Sequence, residues 1–142
     1  MLKEKFEEKY KLNFPLETME KFNQVEELLQ NKDTKRELVE EITGLITVTH
    51  MQQSITLILK KFFSRELLMM NFTATNKKGE KIIFENTEFC SSIKDAVKVI
   101  YKRNSTGNLI YNNKEFMGMI RITINNCKDW DGHRLLRISK KT

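Results

Sequence analysis

A stripe of apolar residues at helical spacing, near the middle of the chain, constrains the fold more than any other feature of the sequence. The stripe recurs at spacings of four, three and four residues: Met51, Ile55, Ile58, Phe62. Leu59 and Phe63 widen it, so residues 51–63 are predicted to form a helix with a broad buried face. The densest apolar cluster of the chain begins here and runs from Gln52 to Phe84. We expect the rest of the chain to pack around this helix.

The scarcity of turn-forming residues favours helices over an all-β architecture. The 142 residues include one proline and five glycines, while 39% are apolar and 31% are charged. Such a composition and length suit a single globular domain with a heavily charged surface. The sequence therefore predicts an all-α fold of five to six helices, with at most one small β-hairpin near residues 72–85. In this hairpin, residues 72–75 would pair with residues 81–84.

Apolar periodicity and capping residues place the other helices. The predicted ranges are 16–30, 34–46, 65–70, a long helix that follows a cap at Asn86 or Thr87, and 113–127. Pro15 suits the first turn of the first of these helices, where its missing N–H would be unpaired anyway. Thr34 and Glu37 have the spacing of a capping box for the second helix. Ser64 is the predicted cap of the short helix that begins at residue 65.

The predicted organisation is one domain preceded by a short lead. Residues 1–14 are a mixed-charge lead that forms either a short helix or a flexible, disordered segment. Residues 15–142 form a single helical domain, in which 15–46 is a helical hairpin and 51–137 is the core. Such a hairpin either closes the core of the domain or pairs with a copy of itself.

Positive charge is unevenly distributed along the chain. The net charge is +6, yet residues 1–45 carry 8 Lys and Arg against 11 Asp and Glu, whereas the remaining residues carry 17 against 8. An excess of positive charge attracts polyanions, nucleic acid first among them. A solvated lysine face is nevertheless the commoner meaning of such an excess in a small domain.

The basic residues of the later part of the chain are the candidate nucleic-acid contacts. Gly79 permits a tight turn after Asn76, and the turn carries lysines that form either a solvated loop or a phosphate-contacting loop. The tail of the chain adds further cations. The predicted nucleic-acid-binding residues are Lys77, Lys78, Lys81, Lys128, Arg134, Arg137, Lys140 and Lys141.

The sequence lacks the common motifs for catalysis and metal binding. The sequence contains no P-loop, no GxGxxG, no HExxH, no GxSxG and no DxDxDG. Cys90 and Cys127 fall on predicted buried faces, and no CxxC or HxxxH spacing links them with His133 in a zinc site. We therefore expect free buried thiols, no metal, no small-molecule cofactor and no enzymatic activity.

Membrane and secretory segments are not expected either. No apolar run approaches the roughly 18–20 residues that cross a bilayer. The charged N-terminus is unlike a secretory signal. We expect an intracellular protein without a membrane partner.

Two segments of the chain resemble a known family. They are PLETMEKFNQVEELLQNKDTKRELVEEI and LKKFFSRELLMMNFTATNKKGEKIIFENTEFCSSIKDAV. Both resemble an arthropod domain family of unknown function, known from THAP-zinc-finger and transposon-linked proteins. Gly79 and Lys81 occupy the basic turn of that family, and Phe84 occupies the aromatic position that follows it. The resemblance covers about residues 15–137.

The segment from Ile55 to Lys128 is similar to a BEN domain, a small helical module that binds DNA or partner proteins in chromatin factors. The shared features are the stretch Phe63–Leu67, an Ile-x-x-Ala-Val helix and a final helix that ends near a cysteine. In BEN domains that bind DNA, the last helix and the adjacent loops face the duplex. The resemblance implies that Lys128, Arg134 and Arg137 lie near phosphates or bases.

The charge distribution and both resemblances lead to one expected function and one alternative. We expect a non-catalytic nuclear module that associates with double-stranded DNA, in gene regulation or transposon-linked biology. The alternative is a homo-oligomerisation or protein-docking domain without DNA affinity of its own, which forms a homodimer through residues 15–46. Light scattering and a DNA titration distinguish the two.

Overall fold

The structure, a computed structural model, describes residues 5–104 and 110–132. Its helices, in chain order, are α1 (Phe6–Lys9), α2 (Met19–Leu28), α3 (Lys32–Thr43), α4 (Met51–Phe62), α5 (Arg65–Asn71), α6 (Glu88–Arg103) and α7 (Asn113–Asn126). The strands β1 (Phe72–Thr73) and β2 (Ile82–Ile83) pair with each other, and short 3-10 segments cover Val48–His50, Phe84–Asn86 and Cys127–Gly132. The described residues thus form a mostly helical fold with one small sheet, which confirms the predicted class.

Helix α1 ties the start of the described chain to α3. Phe6 is buried. The Tyr10 hydroxyl lies 3.2 Å from Thr34 Oγ1 and 2.8 Å from Glu37 Oε2, and Lys9 Nζ pairs with Glu37 Oε1 at 2.6 Å. With α1, the described residues hold seven helices, one more than the upper predicted number.

The predicted start of the first long helix at Pro15 is wrong. Helix α2 begins at Met19, and the Thr18 side chain caps it by accepting a hydrogen bond from Lys21 N. Leu16 is instead extended backbone that forms a parallel bridge with Phe63. Because Leu16 uses its N–H and its carbonyl in this bridge, the helix cannot start until the chain has passed it.

The predicted capping box of the second helix is also wrong. Asn31 caps α3, since its Oδ1 accepts from the N–H groups of Asp33 and Thr34. The helix therefore starts earlier than predicted. Thr34 and Glu37, the expected capping pair, both bind Tyr10, the residue that follows α1. A local motif does not reveal such a distant partner.

Phe63, just after α4, is the centre of the core. Its ring lies 4.9–5.9 Å, between centroids, from four others: Phe22, Phe72, Phe84 and Phe89. The backbone of Phe63 is extended, so Leu16 N reaches Phe62 O at 2.8 Å and Ser64 N reaches Leu16 O at 2.9 Å. Ser64 then caps α5 by accepting from Leu67 N. The predicted break and cap at Ser64 are confirmed.

The strands β1 and β2 lie within the predicted segment 72–85, but they run parallel. Phe72 pairs with Ile82 and Thr73 with Ile83. The chain between them must therefore travel out and back before it pairs, rather than reverse directly as in an antiparallel hairpin. Gly79 has a φ of +59° on this excursion, in the left-handed region that glycine adopts readily. The predicted turn at Gly79 is thus confirmed, whereas the strand direction differs from that of a hairpin.

Helices α3 and α6 pack along each other and close one side of the core. The cap of α6 is Thr87, one of the two predicted residues, and its Oγ1 accepts from Cys90 N at 3.1 Å. Cys90 and Cys127 are both free and buried. None of the helices in the described part of the chain is long and apolar enough to cross a membrane.

Candidate functional site

A groove with a volume of about 480 Å³ lies beside the small sheet. One of its walls is the excursion between β1 and β2, and the other is the exposed side of α7 together with the residue after Cys127. We call it the basic groove, after the cations that line it: Lys77, Lys78, Lys81, Arg121 and Lys128. Two segments that are far apart in sequence thus contribute to one concave surface.

Short hydrogen bonds hold the wall between β1 and β2 in place. Thr73 Oγ1 donates to Asn76 O at 2.7 Å, and Lys81 N donates to Lys78 O at 3.1 Å. Lys81 Nζ donates to Met69 O at 3.0 Å, at the carboxyl end of α5. A cation is favourable there because the last carbonyls of a helix carry partial negative charge. Lys81 is therefore the most fixed of the three lysines on this wall.

The second wall is a row on α7 that continues into the following turn. Arg121, Asn125 and Lys128 follow one another at spacings of four and three residues, the helical period that puts side chains on one face. Ile120 and Cys127 are buried on the other side. Arg65 Nε donates to Lys128 O at 2.9 Å, which fixes the turn against α5.

The described lining of the basic groove is positively charged and contains no carboxylate, although Glu80 and Asp129 are chain neighbours of Lys81 and Lys128. Among the residues that the structure describes, no Asp or Glu lines it, and none of its five cations takes part in an ion pair. Cations elsewhere do pair with acids: Lys9 with Glu37, Lys35 with Glu88, Arg36 with Asp33, Lys61 with Glu41 and Arg65 with Glu66. The charge of the groove is therefore available to a ligand.

The buried thiol of Cys127 lies near two cations, one of which belongs to the basic groove. Burial raises the pKa of Cys127, while the charges of Arg65 and Lys81 act in the opposite direction. The thiol is buried and is the neighbour of Lys128 in the chain. Of these two cations, Lys81 lines the basic groove and Arg65 lies at the start of α5.

The structure brings together four of the predicted nucleic-acid-binding residues. Lys77, Lys78, Lys81 and Lys128 all line the basic groove. The other four lie outside the described residues: Arg134, Arg137, Lys140 and Lys141. His133 of the rejected zinc site lies outside them too. Within residues 5–104 and 110–132, no group of three or more His, Cys, Asp or Glu side chains is placed to hold a metal ion.

Sequence reasoning missed Arg121 and Asn125. The spacing from Arg121 to Lys128 on the polar face of a predicted helix was the available signal. It acquires meaning only when α7 packs beside β1 and α5, which the apolar periodicity does not specify. Arg121 adds a second cation, beside Lys128, to the wall formed by α7 and the turn after it.

The predicted self-association segment, residues 15–46, uses its apolar faces inside the domain. Phe22 and Val25 on α2 are buried, as are Leu38 and Ile42 on α3. A dimer through this segment would have to use the charged outer faces of these helices. Homodimer formation stays a prediction.

A comparison with known families identifies the chain as a member of one of them. Residues 8–96, more than half of the chain, match the model of a family described as a domain of unknown function (DUF4806). The chain belongs to this family. The DUF4806 match contains the wall of Lys77, Lys78 and Lys81, whereas α7 with Arg121 lies beyond it. No curated protein and no solved structure matches this DUF4806 chain.

Proposed function

We propose that this DUF4806 chain is a non-catalytic module that associates with double-stranded DNA through the basic groove. The supporting observation is the convergence of five cations on one concave surface whose described lining contains no carboxylate. A cleft lined by charge of one sign focuses the field and raises the local concentration of polyanions. Phosphates are the part of DNA that such a surface attracts.

The side chains of the groove suit phosphate oxygens. Lysine and arginine form charge-assisted hydrogen bonds with phosphate, and arginine can do so with two N–H groups at once. Neutral donors stand between the cations, because Thr75, Asn76 and Asn125 also line the groove. Hydroxyl and amide groups are common phosphate contacts in protein–DNA complexes.

The cellular setting is part of the same proposal. We place the module in the nucleus, in gene regulation or transposon-linked biology, because the chain resembles a domain family known from THAP-zinc-finger and transposon-linked proteins. The likeness to BEN domains supports it as well. In BEN domains that bind DNA the last helix faces the duplex, and α7, the last α-helix among the described residues, carries Arg121 and leads to Lys128.

Charge reversal at one residue of each wall tests the proposal. The variant carries Lys78→Glu with Arg121→Glu, both at exposed positions. Binding to a labelled duplex of about 20 base pairs is measured by fluorescence anisotropy at about 50 and 150 mM salt. We expect the wild-type affinity to fall steeply with salt, and the variant to bind at least about tenfold more weakly at the lower salt concentration.

The matched control carries Lys21→Glu with Lys32→Glu, which changes the net charge by the same amount. Both lysines are exposed and lie in the first turns of α2 and α3, where a glutamate is favourable. The control should bind nearly as tightly as the wild type. Equal losses in both variants would show attraction to overall charge and no role for the groove. A wild-type chain that binds no duplex at the lower salt concentration would contradict the proposal itself.

A further inference from the structure

We infer that the basic groove holds the sugar–phosphate backbone of one nucleic-acid strand and makes no base-specific contact. The inference deepens the proposed function and rests on it. It concerns which part of the polyanion enters the groove, and it follows from the shape and chemistry of the lining residues.

The concave shape of the site indicates that part of the nucleic acid enters the protein, rather than a protein element entering a groove of the DNA. A protein that reads base edges inserts a helix or a β-ribbon into the major groove, which is about 12 Å wide. Here the cations line a concavity of about 480 Å³, so the ligand must supply the convex part. In a nucleic acid, the narrow, convex and uniformly anionic part is a single backbone strand. A whole duplex is too wide to enter.

The lining offers no surface on which a base could stack. Phe72 is the single aromatic residue among the described lining residues, and its side chain is only 1% exposed. Its ring is engaged inside the core by Phe22, Phe63 and Phe84. Proteins that hold unpaired bases rely on exposed aromatic faces for this purpose. Unpaired bases therefore have no platform here.

The polar side chains favour phosphate over base edges. Asn125 has the chemistry to read an adenine, since its amide can bind two atoms of that base. It lies on the α7 row between Arg121 and Lys128, however, so a backbone held by these cations brings a phosphate to Asn125. The Thr73 hydroxyl is already used, because it donates to Asn76 O.

One strand between the two walls can contact cations on both of them. Lys77 and Lys78 are exposed on one wall, and Arg121 and Lys128 are exposed on the other. Phosphates along one strand advance by about 3.4 Å of helix axis per nucleotide. A strand that lies between the walls therefore presents successive phosphates to cations on both sides. Contacts of this kind position a strand without carrying sequence information.

An abasic strand provides the test, because it keeps the phosphates and removes the bases. Wild type and the Lys78→Glu with Arg121→Glu variant are titrated with three labelled probes: a single thymidine strand, an abasic strand of the same length, and duplexes of equal length but different sequence. We expect the wild-type affinities for the two single strands to agree within about threefold, and those for the duplexes likewise. The variant should lose at least about tenfold with every probe.

The outcomes separate this inference from the proposed function. If the abasic strand binds about tenfold or more weakly than the thymidine strand, or one duplex sequence is preferred by that factor, bases are read and the inference is overturned while duplex association stands. Full binding of all probes by the variant overturns it too, because the strand then lies elsewhere. A chain that binds the abasic strand but no duplex keeps the backbone inference and removes the duplex proposal.

Discussion

Glu26 on α2 links two helices that are far apart in the sequence. Its Oε1 accepts from Glu88 N at 2.9 Å and its Oε2 accepts from Phe89 N at 2.8 Å. A carboxylate from one helix thus satisfies the free N–H groups at the start of another, α6, alongside the local cap Thr87. This contact fixes the position of α2 relative to α6.

We predict that Glu26→Ala destabilises the protein by about 1–2 kcal/mol, because two N–H groups of a helix start lose their acceptors. The control is Glu27→Ala, a change to the neighbouring and exposed glutamate. The control should alter stability by less than about 0.5 kcal/mol. Urea unfolding followed by circular dichroism measures both. Equal effects of the two substitutions would contradict the capping role.

Glu26 also makes stability depend on pH in a predictable direction. Burial raises the pKa of Glu26 above its ordinary value of 4.5, although the N–H groups of Glu88 and Phe89 favour its ionised form. The native state therefore holds a proton on Glu26 more tightly than the unfolded chain does. The stability contributed by this carboxyl is fully present below its ordinary pKa and is lost as the pH rises through the raised value.

The control for the pH prediction is Glu26→Gln, because glutamine does not ionise. The free energy of unfolding of the wild type minus that of the variant should fall as the pH is raised from about 4 to about 7. Denaturant unfolding at several pH values measures the difference. A difference that grows with pH would mean that the hydrogen bonds from α6 outweigh burial.

At the residue scale, a helix-capping side chain could be predicted only where the residues that it binds are close to it in the sequence. Ser64 and Thr87 cap the helices that follow them, as expected from their own sequence neighbours. Thr34 and Glu37 satisfied an equally good local pattern but bind Tyr10 instead. A hydrogen-bonding partner more than twenty residues away overrides a capping motif, and the sequence around the motif carries no trace of it.

At the scale of elements, the two-residue strands and the excursion between them shape one wall of the groove. Helical periodicity predicted α4, α6 and α7 well, because their buried faces repeat over several turns. It could not predict the parallel pairing of β1 and β2, since strands of two residues have no periodicity to read. The groove could not be predicted from the sequence either, because it forms only where α7 packs beside β1.

Two glycines should respond in opposite directions to the same substitution. Gly79 has a φ of +59°, so Gly79→Ala should destabilise the protein by about 1 kcal/mol although a Cβ there meets no atom within 4 Å. Gly118 lies inside α7, where a Cβ also meets nothing, so Gly118→Ala should stabilise it by about 0.8–1.0 kcal/mol. Thermal or urea unfolding measures both. Equal signs for the two variants would contradict the assigned turn or the assigned helix.

At the scale of the whole molecule, part of the positive charge of the later part of the sequence gathers in the basic groove. Cations outside the groove pair with acids in both parts: Lys9, Lys35 and Arg36 in the earlier part, and Lys61 and Arg65 in the later part. In the later part, the cations of the basic groove have no acidic partner among the described residues. The overall charge pattern was visible in the sequence, whereas the convergence of two distant segments required the fold.

Mapping the binding surface by NMR shows directly whether nucleic acid binds at the basic groove. In a titration of the isotope-labelled chain with a short duplex, we expect amide shift changes concentrated in residues 69–81 and 121–128, which contain the walls of the basic groove. The acidic helices α2 and α3 should change little. Shifts that concentrate on α2 and α3, or that spread evenly over the chain, would contradict the claim that this groove is the nucleic-acid site.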